Sequence, residues 1–227
     1  MEVTYYKWLN PDRTTTYQDV KWPKRVGVWT PNKTPVLCSS GWHLATHQGI
    51  GEHARSGAVL WIAEGRGESS DQDDKIAFTS ARLVSEVGTL THETSVLWAA
   101  ACAKRVLTIY EDKYPGDKRP REAIAAAVKW AKNPTEKNRA AYANAANAAA
   151  NDANAAAANA AAANAAYAAY AAAYAADANA ADANAAAANA VYAHAVYANG
   201  EARTAERTWQ SNRLIALISG AGTEVTE

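Results

Sequence analysis

An α+β fold, a small mixed or antiparallel sheet domain followed by an alanine-rich all-helical bundle, is predicted by three features of the 227-residue sequence. Short runs rich in Val, Ile, Tyr and Trp, punctuated by Pro, Gly and Asn, fill the stretch up to Gly88. Beyond Gly88 the apolar period becomes that of a helix. From Ala140 to Asn199 the chain is mostly alanine, with neither Gly nor Pro. These features divide the chain into a sheet domain over 1–88, a helical domain over 89–220 and a flexible end over 221–227. A folded chain of this length buries about 70% of its extended surface, enough for a core without metal or disulfides.

The expected strands are "VTYYKWL", "RVGVWT", "AVLWIAEG" and "IAFTSARLVSEVG". In the last, Ile76, Phe78, Ser80 and Arg82 alternate with Ala77, Thr79, Ala81 and Leu83, giving one imperfectly apolar face. The segment "ATHQGIGEHAR" is a helical interruption weakened by its glycines. "SSDQDDK" lacks the ligand series of an EF-hand loop and reads as a solvated acidic loop.

The first helix follows Thr91, where a capping box would need Glu and the sequence has Thr94. Val96, Ala99, Ala103, Val106 and Tyr110 recur at helical spacing, and Pro115 and Gly116 end the run. "RPREAIAAAVKWAKNP" makes a shorter helix, with Pro120 in its first turn and Lys129 and Lys132 near its C-terminus, where the helix dipole favours cations. In the alanine-rich stretch each Asn or Asp costs roughly 0.5–0.7 kcal/mol relative to alanine. A single helix of that length would extend roughly 90 Å, so the chain is expected to fold back on itself. Asn144, Asn147, Asn151 and Asn154 share a stripe that Asn159 and Asn164 leave, placing a bend or boundary between Asn151 and Asn164. Tyr167, Tyr170 and Tyr174 form an aromatic stripe that either organises the bundle or lines a partner groove. In "EARTAERTWQSNRLIALI", Trp209, Arg213 and Ala216 join Leu214 and Leu217 in a docking face. Arg203, Arg207 and Arg213, interleaved with Glu201 and Glu206, read as a solvated face.

Lys plus Arg equals Asp plus Glu at 23 each, so no net charge draws the whole chain to nucleic acid. Only Cys38 and Cys102 are present, the N-terminus lacks a signal-peptide pattern, and no apolar run has the character of a membrane span. A reduced cytoplasmic protein is the expectation. No cofactor is implied: "GRG" is not a phosphate loop and no Walker lysine is present.

"GWHLATHQGIGEH" places His43, His47 and His53 at the spacing of a zinc protease helix. The position of the water-activating Glu is Leu44, which cannot take a proton, and Ile50 stands where the glycine belongs. The three histidines therefore remain metal candidates by spacing alone. The competing reading makes His43 a structural side chain tying a loop to backbone. Trp42, His43 and His47, with Arg66 nearby, form a candidate recognition surface.

The pieces "WAAACAKRVLTIYEDKYPGDKRPREAIAAAVKW", the Ala/Tyr/Asn-rich stretch and "ERTWQSNRLIALI", in that order over residues 92 to 219, resemble the bacterial and phage family of immunity protein 5-like helical proteins. That resemblance implies an all-helical region that neutralises a partner toxin. The N-terminal pattern "LCSSGWHLA", "GAVLWIAEGRG" and "KIAFTSARLVSEVG" resembles a small phage-type domain of unknown function, whose Cys-x-x-Gly-x-His turn is here Cys38 to His43. The combination implies a non-enzymatic binding protein that neutralises or sequesters a protein toxin, a host defence effector or a small signalling ligand, and that acts in the host cytoplasm if it is phage-encoded. The alternatives are a metal-dependent hydrolase or nucleotide-processing enzyme built on the first domain, and a virion-associated, self-assembling structural protein.

Overall fold

The computed structural model describes residues 4–138 and 200–221, together with Ala141, Ala145, Tyr167, Ala168, Ala171 and Ala190. Its contacts divide the chain into two units, Met1–Leu90 and Thr91–Glu227.

In the first unit, β1 (Tyr5–Leu9), β2 (Trp42–Ala45), β3 (Val59–Gln72) and β4 (Lys75–Thr89) close into a barrel in the order β1-β2-β4-β3, each pair antiparallel. The long β3–β4 hairpin has register irregularities between Leu60 and Trp61, Ile62 and Ala63, and Arg66 and Ser69. Such bulges add twist, which lets so small a sheet curl shut. Leu9, Trp22, Trp42, Leu44, Trp61 and Leu83 form the heart of its core. Trp22 meets Trp42 edge to face at 5.2 Å, and Tyr5 meets Phe78 likewise at 5.1 Å. Each contact contributes about 0.5–1.5 kcal/mol beyond area burial.

Two local expectations are corrected. "RVGVWT" forms no strand. Instead the N–H groups of Gly27, Thr30 and Lys33 donate to the carbonyls of Leu83, Ala81 and Thr79, each at 2.9 Å. A step of three residues against two on β4 is the period of an extended three-fold helix, suited to a segment containing Pro31. Thr30 locks this pairing: Ser80 Oγ donates to its carbonyl at 2.7 Å, and its Oγ1 accepts from the Ala81 N–H at 2.9 Å. Conversely "WHLA", expected as a turn entering a helix, is strand β2. Only after it come two 3-10 turns, His47–Gly49 and Gly51–His53.

Those turns pack on the β3–β4 hairpin end, where a Cβ on Gly49 would lie 1.9 Å from the Asp74 carbonyl oxygen. The acidic segment is accordingly not wholly solvated. Asp74 is buried, its carbonyl accepts from the Thr46 N–H at 2.9 Å, and its carboxylate lies 2.9 Å from His53 Nε2.

In the second unit, α1 (His92–Lys113), α2 (Arg119–Lys132) and α3 (Gly200–Ile218) are described. Thr91 caps α1 without a Glu, its Oγ1 accepting from the Thr94 N–H at 3.1 Å. The loop to α2 is held by Asp117, whose carboxylate accepts from the Arg119 N–H, the Arg119 guanidinium and the Tyr110 hydroxyl. Those bonds, the Arg119 side chain first, lower its pKa to about 2. The α1–α2 pair is antiparallel: His92 at one end of α1 lies against Trp130 at the far end of α2, ring centroids 5.0 Å apart. Fully buried Ala99, Ala103, Ala123 and Ala127 permit close approach of helices.

The face α3 buries differs from the expected one. Glu206, Gln210, Ser211, Leu214 and Leu217 are buried, whereas Trp209, Arg213 and Ala216 are partly exposed. Glu206 is 2% exposed instead of lying on a solvated face. Its Oε2 accepts from Arg105 Nε of α1 at 2.6 Å and its Oε1 from Gln210 Nε2 at 3.2 Å. The Arg105 guanidinium sits 4.6 Å from the Trp209 ring centroid, and Trp98 Nε1 donates to the Gln210 carbonyl at 3.0 Å. The bonds from Arg105 and Gln210 compensate the desolvation of the buried Glu206 carboxylate.

The boundary expected between Asn151 and Asn164, the spacing Asn residues of that stretch, Tyr142, Tyr170, Tyr174, Tyr192 and Tyr197, and residues 222–227 lie outside the described residues. Among the described residues, no helix is long and apolar enough to cross a membrane.

Removing one partner of a buried ion pair typically costs about 3–5 kcal/mol, and the partial exposure of Arg105 reduces this toward the lower limit. Arg105→Ala should therefore lower the unfolding free energy by about 3 kcal/mol. Urea denaturation checks this, and an unchanged midpoint would remove the Arg105–Glu206 pair from the account.

Candidate functional site

A cavity of about 790 Å³ lies in the first unit, lined by β1, by β2 and by the chain between them. It follows from how the barrel closes. β1 pairs with β3 from Tyr5–Ala63 to Leu9–Val59, but with β2 only at Tyr6–Ala45. Along the rest of that seam a side chain replaces the ladder: Lys7 Nζ donates to the His43 carbonyl at 2.8 Å. Strand alternation puts Lys7 on the same face as Tyr5 and Leu9, which pack into the core cluster. Its ammonium is also 5.7 Å from the Trp22 ring centroid. Burial lowers its pKa from 10.5 to about 8.

The Cys-x-x-Gly-x-His segment builds the adjoining wall. Cys38 has a left-handed φ of 60°, and its N–H donates to His43 Nε2 at 3.0 Å. Because Nε2 accepts, the neutral imidazole carries its proton on Nδ1. Gly41 has φ 92°, and a Cβ there would lie 2.9 Å from Pro35 Cα and 3.1 Å from the Phe78 carbonyl oxygen. Only glycine fits this turn without displacement. Trp42 then enters the core with its indole N–H donating to the Pro31 carbonyl at 2.8 Å.

The electrostatics of the cavity are one-sided. Among the described residues, its lining includes Lys7, Lys33 and Lys75, and no Asp or Glu. Lys33 Nζ lies 4.5 Å from the Trp42 ring centroid. Among the described residues none of these lysines pairs with a carboxylate. Desolvation, then the charges of Lys7 and Lys75, push the His43 pKa down, against hydrogen bonds to the backbone of Gly41 and Val36. His53, also on the lining, is lowered by desolvation despite Asp74, so their 2.9 Å contact is chiefly a neutral-imidazole hydrogen bond at pH 7.

The remaining residues singled out from sequence fall elsewhere. His47 sits in a 3-10 turn with its ring 5.8 Å from that of Tyr6, outside the cavity lining. Arg66 stacks on Trp29 at 4.1 Å, sharing that ring with Arg82, which pairs with Glu64 at 2.6 Å. Tyr167 is partly buried, and Tyr170 and Tyr174 lie outside the described residues. The structure thus brings Trp42 and His43 together with three lysines that sequence reading passed over. The available signal was the lysine of "YYKWL", a charge at an inward position between apolar neighbours. Among the described residues, no group of three or more His, Cys, Asp or Glu side chains is placed to hold a metal ion.

Residues 85–217, more than half of the chain, match the family described as "Imm-5 like putative immunity protein". The match begins inside β4 and runs through α1 and α2 into α3, whereas every residue lining the cavity precedes it. No curated protein and no solved structure matches the chain.

The lowered pKa of Lys7 fixes a sign. Between about pH 8 and 10.5 the unfolded chain holds the Lys7 proton and the folded chain has lost it, so stability rises with pH through that window. Measured by urea unfolding, wild type should gain on Lys7→Met by roughly 3 kcal/mol across that window. A constant difference would contradict a desolvated ammonium. On the acid side, His43 and His53 are both lowered from 6.5, so the unfolded chain binds protons first and stability should fall as pH drops below 6.5. His43→Gln should reduce that loss in the same titration, and a full-size loss in the variant would clear His43 of any part in it.

Proposed function

Because the chain belongs to the Imm-5 like immunity protein family, we propose that it is a non-enzymatic binding protein that neutralises a protein toxin or host defence effector. The observation carrying this reading is the family match over residues 85–217. Helices α1, α2 and α3 supply the partner-binding scaffold, and the aromatic stripe of Tyr167, Tyr170 and Tyr174 is the contact surface in this reading. The network in which Arg105 and Gln210 donate to the buried Glu206 carboxylate suits such a role, since directional polar bonds fix helix register where alanine packing contributes little area. Action in the cytoplasm, of the host cell if the protein is phage-encoded, belongs to the same proposal. So does the division of labour between residues 1–88 and 89–220.

The test is affinity capture with the full chain from host lysate, read by mass spectrometry for proteins and small metabolites, followed by titration calorimetry with the purified partner. The proposal expects a saturable protein complex that is weakened by Tyr167→Ala. Capture that enriches no protein under several ionic strengths, or a complex insensitive to residues of the helical unit, would sink it.

A further inference from the structure

We propose that the barrel cavity binds a small organic anion of the nucleotide class, its phosphate between Lys7 and Lys75 and its planar ring against the tryptophan-rich wall. The proposal is independent of the immunity reading, because every lining residue lies outside the family match.

Four observations carry it. Among the described residues, the only formally charged side chains on the lining are three lysines, so a ligand that neutralises them is anionic. Lys7 makes a single hydrogen bond, to the His43 carbonyl, leaving donors of its ammonium for a ligand oxygen. The volume of about 790 Å³ falls within the roughly 300–1,000 Å³ of small-molecule sites and is far more than a bare ion needs. Trp22 and Trp42 supply aromatic surface beside those lysines, with Lys7 Nζ 5.7 Å from the Trp22 ring centroid and Lys33 Nζ 4.5 Å from that of Trp42, so a cation and a ring face are presented together.

The site also has a proton signature. A dianionic phosphate beside Lys7 favours its charged form, opposing the burial that lowers its pKa to about 8. Binding at pH 8 to 9 therefore takes up protons, and affinity falls as pH rises further.

Titration calorimetry of the full chain with the four ribonucleoside 5′-monophosphates, with adenosine and with inorganic phosphate tests this. At least one monophosphate should bind saturably, more tightly than adenosine or phosphate, with proton uptake visible as a buffer-dependent heat at pH 8.5. Lys7→Met should weaken it tenfold or more. Lys75→Gln, a substitution at the start of β4, should weaken it several-fold and carries the test if Lys7→Met does not fold. The proposal is overturned if no monophosphate binds, if adenosine or inorganic phosphate binds as tightly, or if Lys75→Gln leaves affinity unchanged. Capture of a protein partner by the helical unit would be untouched by any of these failures.

Discussion

The seam between β1 and β2 is the constraint on which the first unit depends. A four-stranded barrel has little room for error, and here two neighbouring strands share one register pair, Tyr6 with Ala45. The hydrogen bond from Lys7 to the His43 carbonyl spans what the ladder leaves open. An ammonium in that position is poorly solvated, which explains its lowered pKa, and the open seam explains why a cavity adjoins it. The Cys38–His43 turn completes the arrangement, because the imidazole fastens the turn through the Cys38 N–H while its backbone carbonyl receives Lys7.

The second unit solves a different problem. Alanine-lined helices approach closely but bury little area per residue, so hydrophobic burial alone specifies their register weakly. Directional bonds add specificity: Arg105 to Glu206, Gln210 to Glu206, and Trp98 to the Gln210 carbonyl all join α1 and α3 or brace that junction. This unit carries most of the family match, while every described residue lining the cationic cavity precedes it. The two proposed kinds of recognition, of a protein by helices and of a small anion by the barrel, therefore draw on separate residues.

Much of this was legible in the sequence. The change of period after Gly88, the stop at Pro115 and the Pro120 start of α2 are local signals, and helices obey local signals well. The sheet was harder because its strands are defined by partners. "RVGVWT" has strand composition but meets β4 with a three-residue step, whereas "WHLA" has histidine and alanine yet is paired with β4 along its whole length. Glu206 looked solvated because its interleaved arginines are near in sequence, while its actual partner, Arg105, lies on another helix. Likewise the protease-like spacing of His43, His47 and His53 dissolved once a strand and two separate turns replaced a single helix. Lys7 was visible as an inward charge, but only the register of β1 against β3 shows what surrounds it.

The most direct measurement on the central claim is the ionisation of Lys7 itself, followed by ¹³Cε chemical shift in lysine-labelled protein, with Lys7→Arg identifying the resonance. An ammonium bridging an incomplete seam beside an acid-free cavity predicts titration near pH 8. Titration at the ordinary lysine value, about 10.4, would contradict it, because a well-solvated ammonium could not be the group that closes the barrel.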